Sequence, residues 1–174
     1  KGEHNITKSK QKIKEVYYET DVKVNPNVLK AIREADLIIL SMGSLYTSIS
    51  CNLICDDVRK AIDTSKGKLL YVCNMFTQPG ETDDFKVSDH LKVLNSYLGE
   101  RKIESVIANS GKIPQSFIDK YHREEEKDPV LIDEEKLKLM DVKLIHDDFV
   151  MKKSDSLKHD AIKLSLKIFE EIIK

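Results

Sequence analysis

The chain has 174 residues, 40% hydrophobic and 34% charged, which is enough apolar sequence for one globular domain with a buried core. Its 29 basic and 30 acidic side chains give a net charge of −1, which argues against a nucleic-acid-binding or membrane-binding surface. The longest apolar run falls far short of the roughly 20 residues of a membrane span, and no signal-peptide pattern opens the sequence. We therefore expect a cytoplasmic protein without a membrane span.

Helical and strand patterns alternate along the chain. In order, the residue patterns predict a strand at Ile13–Glu19, a helix at Pro26–Glu34, a strand at Asp36–Leu40, a helix starting near Leu45, a helix at Asp56–Asp63, a strand at Lys68–Cys73, a helix at Ser88–Tyr97, a strand at Ile103–Ala108, a helix at Pro114–Glu125, a strand at Pro129–Ile132, a helix at Asp133–Leu139, a strand at Val142–His146 and a helix at Leu157–Lys174.

The run Leu37–Leu40 has no polar residue, which is typical of a strand that is buried on both faces. Several such strands alternating with helices predict an α/β fold in which helices cover both faces of a mostly parallel sheet. The cysteines Cys51, Cys55 and Cys73 lack the paired spacing of a zinc site, so we expect reduced, buried thiols.

Ligands of parallel sheets bind beyond the carboxyl ends of the strands. The loops that follow Leu40, Cys73 and Ala108 are rich in small and polar residues, and all three must open at that edge. In the first loop, Gly43 and Ser44 precede a predicted helix, where unpaired backbone N–H groups could bind a phosphate. A tight connection between strand and helix would explain the same residues without any ligand.

Two of these loops resemble the signatures of a known family. Ala35-Asp36-Leu37-Ile38, followed by Gly43 to Ile49 and by Asn52-Leu53, is similar to one signature of the gluconeogenesis factors, which share a CofD-like superfamily with 2-phospho-L-lactate transferase. The run from Tyr71 to Thr82 is similar to the second signature. Here Ser41-Met42 replaces the Gly-Pro that usually opens the family's loop, and Cys51 stands where a Pro is usual.

The resemblance implies a Rossmann-like three-layer α/β/α protein that binds a nucleotide-linked ligand. The family's N-terminal glycine-rich unit has no match in the sequence. Residues 1–174 are therefore expected to form a single CofD-like domain, the C-terminal part of a longer chain.

The residues expected to bind the ligand come from the strand-end loops and from two histidines. They are Gly43, Ser44, Thr47, Ser48, Asn74, Thr77, Gln78, Glu81, Thr82, Asn109, His90 and His159. Glu81 is also the one candidate ligand for Mg²⁺, although a single carboxylate is a weak metal site. No arrangement of a nucleophile with a histidine and an acid is evident, so no catalytic residue is assigned.

Three functions stay open at this point. The resemblance favours a UDP-sugar-binding regulator of cell shape during gluconeogenic growth, which acts on envelope-synthesis proteins and has no demonstrated reaction. The alternative is a transferase that moves a phosphate-linked group from a nucleotide donor with the help of Mg²⁺. The third is a scaffold that forms homo-oligomers through the helix from Leu157.

Overall fold

The computed structural model describes residues 5, 6, 8, 11–152 and 155–173. Their centre is a parallel sheet of four strands in the order β1-β2-β3-β4. Two further strands, β5 and β6, form a separate antiparallel pair. The strands are β1 (Leu37–Leu40), β2 (Lys68–Val72), β3 (Ser105–Asn109), β4 (Lys143–Asp147), β5 (Val150–Lys152) and β6 (Leu157–His159).

Helices connect the strands of the parallel sheet. They are α1 (Pro26–Glu34), a π-helical segment (Leu45–Ser50) that continues into α2 (Cys51–Leu53), α3 (Asp56–Thr64), α4 (Val87–Tyr97), α5 (Gln115–Glu125), α6 (Glu134–Leu139) and α7 (Ala161–Ile173). The first helix begins as the sequence predicts, because the Asn25 side chain accepts a hydrogen bond from the Asn27 amide and Pro26 occupies the first helical position.

The two faces of the sheet are covered very differently. On one face, Leu69, Tyr71 and Val106 pack against residues of the helices that lie between the strands, such as Ile62 and Leu91. Strands that follow one another in sequence and in space, joined by right-handed crossovers, place their helices on one side. On the other face, Leu70, Val72, Ile107 and Phe149 pack against Leu164 of α7. The expected α/β fold with a parallel sheet between helical layers is confirmed.

Two predicted strands are wrong. Ile13–Glu19 is extended but unpaired: the amide of Val16 donates to the Tyr97 hydroxyl, 3.0 Å away, and Tyr17 is 75% exposed. Pro129–Ile132 makes only an isolated bridge, between Pro129 and Phe76, because proline has no N–H to donate to a ladder.

The C-terminal helix also starts later than predicted. Leu157–His159 pairs with Val150–Lys152, a strand that the sequence did not predict, and the helix begins only at Ala161. The Asp160 carboxylate accepts hydrogen bonds from the amides of Ile162 and Lys163, both at 3.1 Å, which caps the helix at this point. Lys174, the last residue of the predicted helix, lies outside the described residues.

Candidate functional site

The loops after β1 and β2 are in direct contact at the carboxyl edge of the sheet. The side-chain amide of Asn74 donates to the carbonyl oxygen of Gly43 at 3.1 Å. Because β1 and β2 are parallel and paired in register, their ends bring these two loops side by side. Residues 31 positions apart thus form one polar rim, as the sequence argument requires.

His159 and Asn109 extend this rim. The His159 ring is hydrogen-bonded to the backbone of Cys73, the residue before Asn74. Burial lowers the pKa of His159, and this hydrogen bond opposes the change only partly, so the neutral ring is favoured. Asn109 ends β3, and its side-chain oxygen accepts from the amides of Gly111 and Phe149 at 3.2 and 2.9 Å, which holds the third loop in shape.

The π-helical segment after Gly43 begins at a buried carboxylate. Glu81, 5% exposed, accepts hydrogen bonds from the Tyr46 amide at 3.1 Å and from the Thr47 hydroxyl at 3.0 Å. The side chain of Gln78 donates to the same carboxylate at 3.1 Å. A negative charge here is stabilised by the positive end of the helical dipole. The protein therefore supplies its own anion to the amide that the sequence argument offers to a phosphate.

Thr77 and Thr82 hold their loop together and are themselves buried. The Thr82 hydroxyl accepts from the Gln78 amide at 2.8 Å. The Thr77 hydroxyl accepts from the Asp128 amide at 2.9 Å, which ties the loop to the segment after α5. These two threonines shape the rim from behind.

His90 does not face the rim. It is fully buried in α4, its ring packs against Tyr71 and Phe85, and its Nδ1 lies 3.0 Å from the carbonyl oxygen of Lys86. Burial lowers its pKa, so the ring stays neutral. The structure corrects the sequence expectation for His90, because the spacing of a helix does not reveal which side of it carries a histidine.

Gly43 is required at its position by crowding. A Cβ atom there would lie 2.9 Å from the Cβ of Ser48, the next turn of the chain. Beside them is a cavity of about 440 Å³, with a polar end at Ser41, Ser48 and Asn52 and an apolar floor. Its volume is within the usual range for small-molecule sites.

Five expected binding residues besides Gly43 and Ser44 remain partly or fully exposed at or near this rim. They are Thr47, Ser48, Asn74, Asn109 and His159. Sequence reasoning missed His146, whose Nδ1 lies 3.2 Å from the Ser110 hydroxyl near the end of β4. The rule that ligands bind at strand ends would have found it, because His146 lies in the predicted strand Val142–His146.

The described residues do not fit a Mg²⁺ site at Glu81. Both carboxylate oxygens already accept hydrogen bonds from the protein, one from the Tyr46 amide and the other from the side chains of Thr47 and Gln78. In the described part of the chain, no group of three or more His, Cys, Asp or Glu residues is placed to hold a metal ion. All three cysteines are free thiols, and only Cys73 is fully buried.

Among the described residues, no helix combines the length and the apolar composition needed to cross a bilayer. The fold and the rim define a parallel α/β protein with a polar, ligand-type edge at the carboxyl ends of its strands. The family model described as 2-phospho-L-lactate transferase CofD matches residues 1–150, and the chain therefore belongs to the CofD family.

The relatives carry a second name. The chain is 39% identical over 170 residues to the gluconeogenesis factor of Halalkalibacterium halodurans, which covers 97% of this chain and 52% of that protein. It is also 39% identical over 165 residues to the gluconeogenesis factor of Bacillus subtilis, covering 94% of this chain and 52% of the relative. The chain thus spans about half the length of these curated relatives.

A solved structure gives the same match. A crystal structure of a UPF0052 family member from Bacillus halodurans superimposes with a TM-score of 0.91 at 39% identity. The superposition covers 96% of this chain and 54% of that one. The resemblance to the gluconeogenesis factors in the CofD-like superfamily is confirmed.

Proposed function

We propose that this protein binds a nucleotide-linked ligand, a UDP-sugar, at the rim formed by the Gly43 and Asn74 loops. The observation that carries the proposal is the hydrogen bond from Asn74 to the Gly43 carbonyl, which joins two strand-end loops into one surface. Membership of the CofD family supports a nucleotide-related ligand.

The exposed groups of the rim suit a ligand rich in hydroxyl and phosphate oxygens. Ser48 is exposed beside Gly43, and Asn74 and His159 supply side chains that can both donate and accept hydrogen bonds. The Tyr46 amide is already bonded to Glu81, so a phosphate would bind to the Gly43 and Ser48 side of the rim. Ribose or sugar hydroxyls would lie toward Asn74 and His159.

We further propose that binding has a regulatory role in cell shape during growth on gluconeogenic carbon sources, through contacts with envelope-synthesis proteins in the cytoplasm. The name of the two relatives, gluconeogenesis factor, supports the metabolic setting. No pairing of a nucleophile with a base is present among the expected site residues. A ligand-sensing role therefore suits the rim better than turnover.

The second candidate is transfer of a phosphate-linked group from a nucleotide donor, and the description of the matching family model favours it. This activity would need a site for Mg²⁺, which Glu81 does not offer because its oxygens are occupied by protein donors. The transferase proposal is therefore the weaker of the two.

Thermal unfolding in the presence of separate ligands tests the proposal. UDP-N-acetylglucosamine, GDP, GDP with Mg²⁺ and Mg²⁺ alone are each added to the chain, and the unfolding midpoint is followed by circular dichroism. A ligand at a hundred times its Kd stabilises the native state by about 2.7 kcal/mol. For a chain of this size, that is a rise of about 5–10 °C.

Ser48→Glu provides the site-specific test, since a carboxylate at this exposed position repels a bound phosphate. Ser96→Glu, on the exposed side of α4, is the matched control. A rise with the uracil ligand that disappears in Ser48→Glu and persists in Ser96→Glu supports the proposal. A rise only with GDP and Mg²⁺ favours the transferase, and no rise with any ligand refutes nucleotide binding by this chain.

A further inference from the structure

The outer edge of β1 has the composition of an interior strand. In the described part of the chain β1 is an outermost strand of the sheet, yet all four of its residues are apolar and Ile39 is 42% exposed. The opposite edge strand, β4, carries Lys143, His146 and Asp147 among its five residues. Edge strands are normally protected by such charges, because an apolar edge pairs with other chains.

An apolar groove runs beside this edge. It is the cavity of about 440 Å³ whose polar end lies at Ser41 and Ser48, and its floor is built by β1 and the helices α1 and α3. Val28, in α1, is 45% exposed at this groove. A strand added to β1 would therefore meet apolar side chains on this face as well as unpaired backbone groups.

The other face of the sheet is too narrowly covered. Leu37 packs in the cluster under α7, and alternation places Ile39 on the same face, where it stays partly exposed. The helix α7 also presents an outward stripe at helical spacing: Ile162, Leu166 and Phe169 are 75%, 59% and 58% exposed. A second helix beside α7 would cover both Ile39 and this stripe.

We propose that a further α/β segment of a longer polypeptide completes this sheet. One of its strands pairs in parallel with the outer edge of β1, and one of its helices packs beside α7 over Ile39. The segment corresponds to the half of the relatives that this chain does not match, since the match covers 97% of this chain but 52% of the Halalkalibacterium halodurans protein.

The parallel direction follows from the rest of the sheet. Every strand pair in it is parallel, and parallel strands need helices over both faces. A parallel neighbour of β1 would also end at the edge where Gly43 lies, so the loop that follows it would border the candidate site. The proposal does not depend on which ligand binds there.

A chimera tests this arrangement. The 174 residues replace the segment that they match in the Halalkalibacterium halodurans relative, and Ile39→Lys is introduced into both the chimera and the chain alone. Burying a lysine in an apolar interface is costly, whereas an exposed one is nearly neutral. We expect Ile39→Lys to lower the unfolding midpoint of the chimera by about 5 °C or more, and that of the chain alone by less than about 2 °C.

Two further variants complete the design. Leu166→Lys, on the outer stripe of α7, should behave like Ile39→Lys, and Leu139→Lys, 88% exposed on α6, should be silent in both proteins. Equal shifts in the chimera and in the chain alone would overturn the proposal. So would a dimer of the chain alone that Ile39→Lys converts to a monomer, because the edge would then be the seat of a second copy.

Discussion

Glu81 is predicted to anchor the start of the π-helical segment, and its replacement tests this directly. Its carboxylate is 5% exposed and accepts from the Tyr46 amide, the Thr47 hydroxyl and the Gln78 side chain. Glu81→Ala leaves these three donors without their acceptor. Each buried donor left unsatisfied costs about 1–3 kcal/mol, and losing a negative charge at a helix start costs up to about 1 kcal/mol more.

Water can enter the space left by the truncated side chain and restore part of this bonding, so we expect Glu81→Ala to cost about 3–5 kcal/mol in total. The free energy of unfolding is measured by urea titration followed by circular dichroism. Glu135→Gln, whose side chain is 91% exposed, is the control and should change stability by less than about 0.5 kcal/mol. If Glu81→Ala costs no more than the control, Glu81 is not the anchor and its carboxylate is available to a ligand or metal.

Three further predictions concern the rim and the core. Asn74→Ala removes the bond to Gly43 and should cost about 1 kcal/mol in urea unfolding, while Asn5→Ala, far along the chain, should not reproduce the loss. Gly67→Ala places a Cβ 2.1 Å from the Ala35 carbonyl oxygen and should cost about 3 kcal/mol or more, because backbone must move. Burial lowers the pKa of His90, so the unfolded chain takes up the proton more readily and stability should fall as the pH drops below about 6.5. His90→Gln should flatten this dependence between pH 7 and 5, and a change in the exposed His122 should not.

The parallel sheet could be predicted because continuous apolar runs and the helices between them carry its signal. The runs at Leu37–Leu40 and Lys68–Cys73 have no other plausible use in a chain of this composition. Ile13–Glu19 has similar β-forming residues, but no partner strand lies beside it, and pairing decides whether such a segment becomes a strand. The start of α7 was misplaced because the apolar spacing continues back to Leu157, and the capping role of Asp160 was overlooked.

The edge that carries the candidate site was predictable, but the orientation of its residues was not. Strand ends that are rich in small polar residues identify the Gly43 and Asn74 loops without any coordinates. Glu81 and His90 look equally suited to a ligand in the sequence, yet both are buried by contacts with residues distant along the chain, such as Tyr46 and Tyr71. The π-helical turn at Leu45–Ser50 has no sequence signal that would have distinguished it from an α-helix.

The contacts of Glu81, Thr77 and Thr82 change how the loop signatures should be interpreted. These residues bond to the protein itself, so the Tyr71–Thr82 signature specifies the shape of a loop at least as much as contacts with a ligand. Loss of ligand binding after a substitution at Glu81 or Thr82 should therefore come with a loss of stability. At Ser48, which is exposed, binding and stability should separate, and only a residue of that kind can identify where a ligand touches this rim.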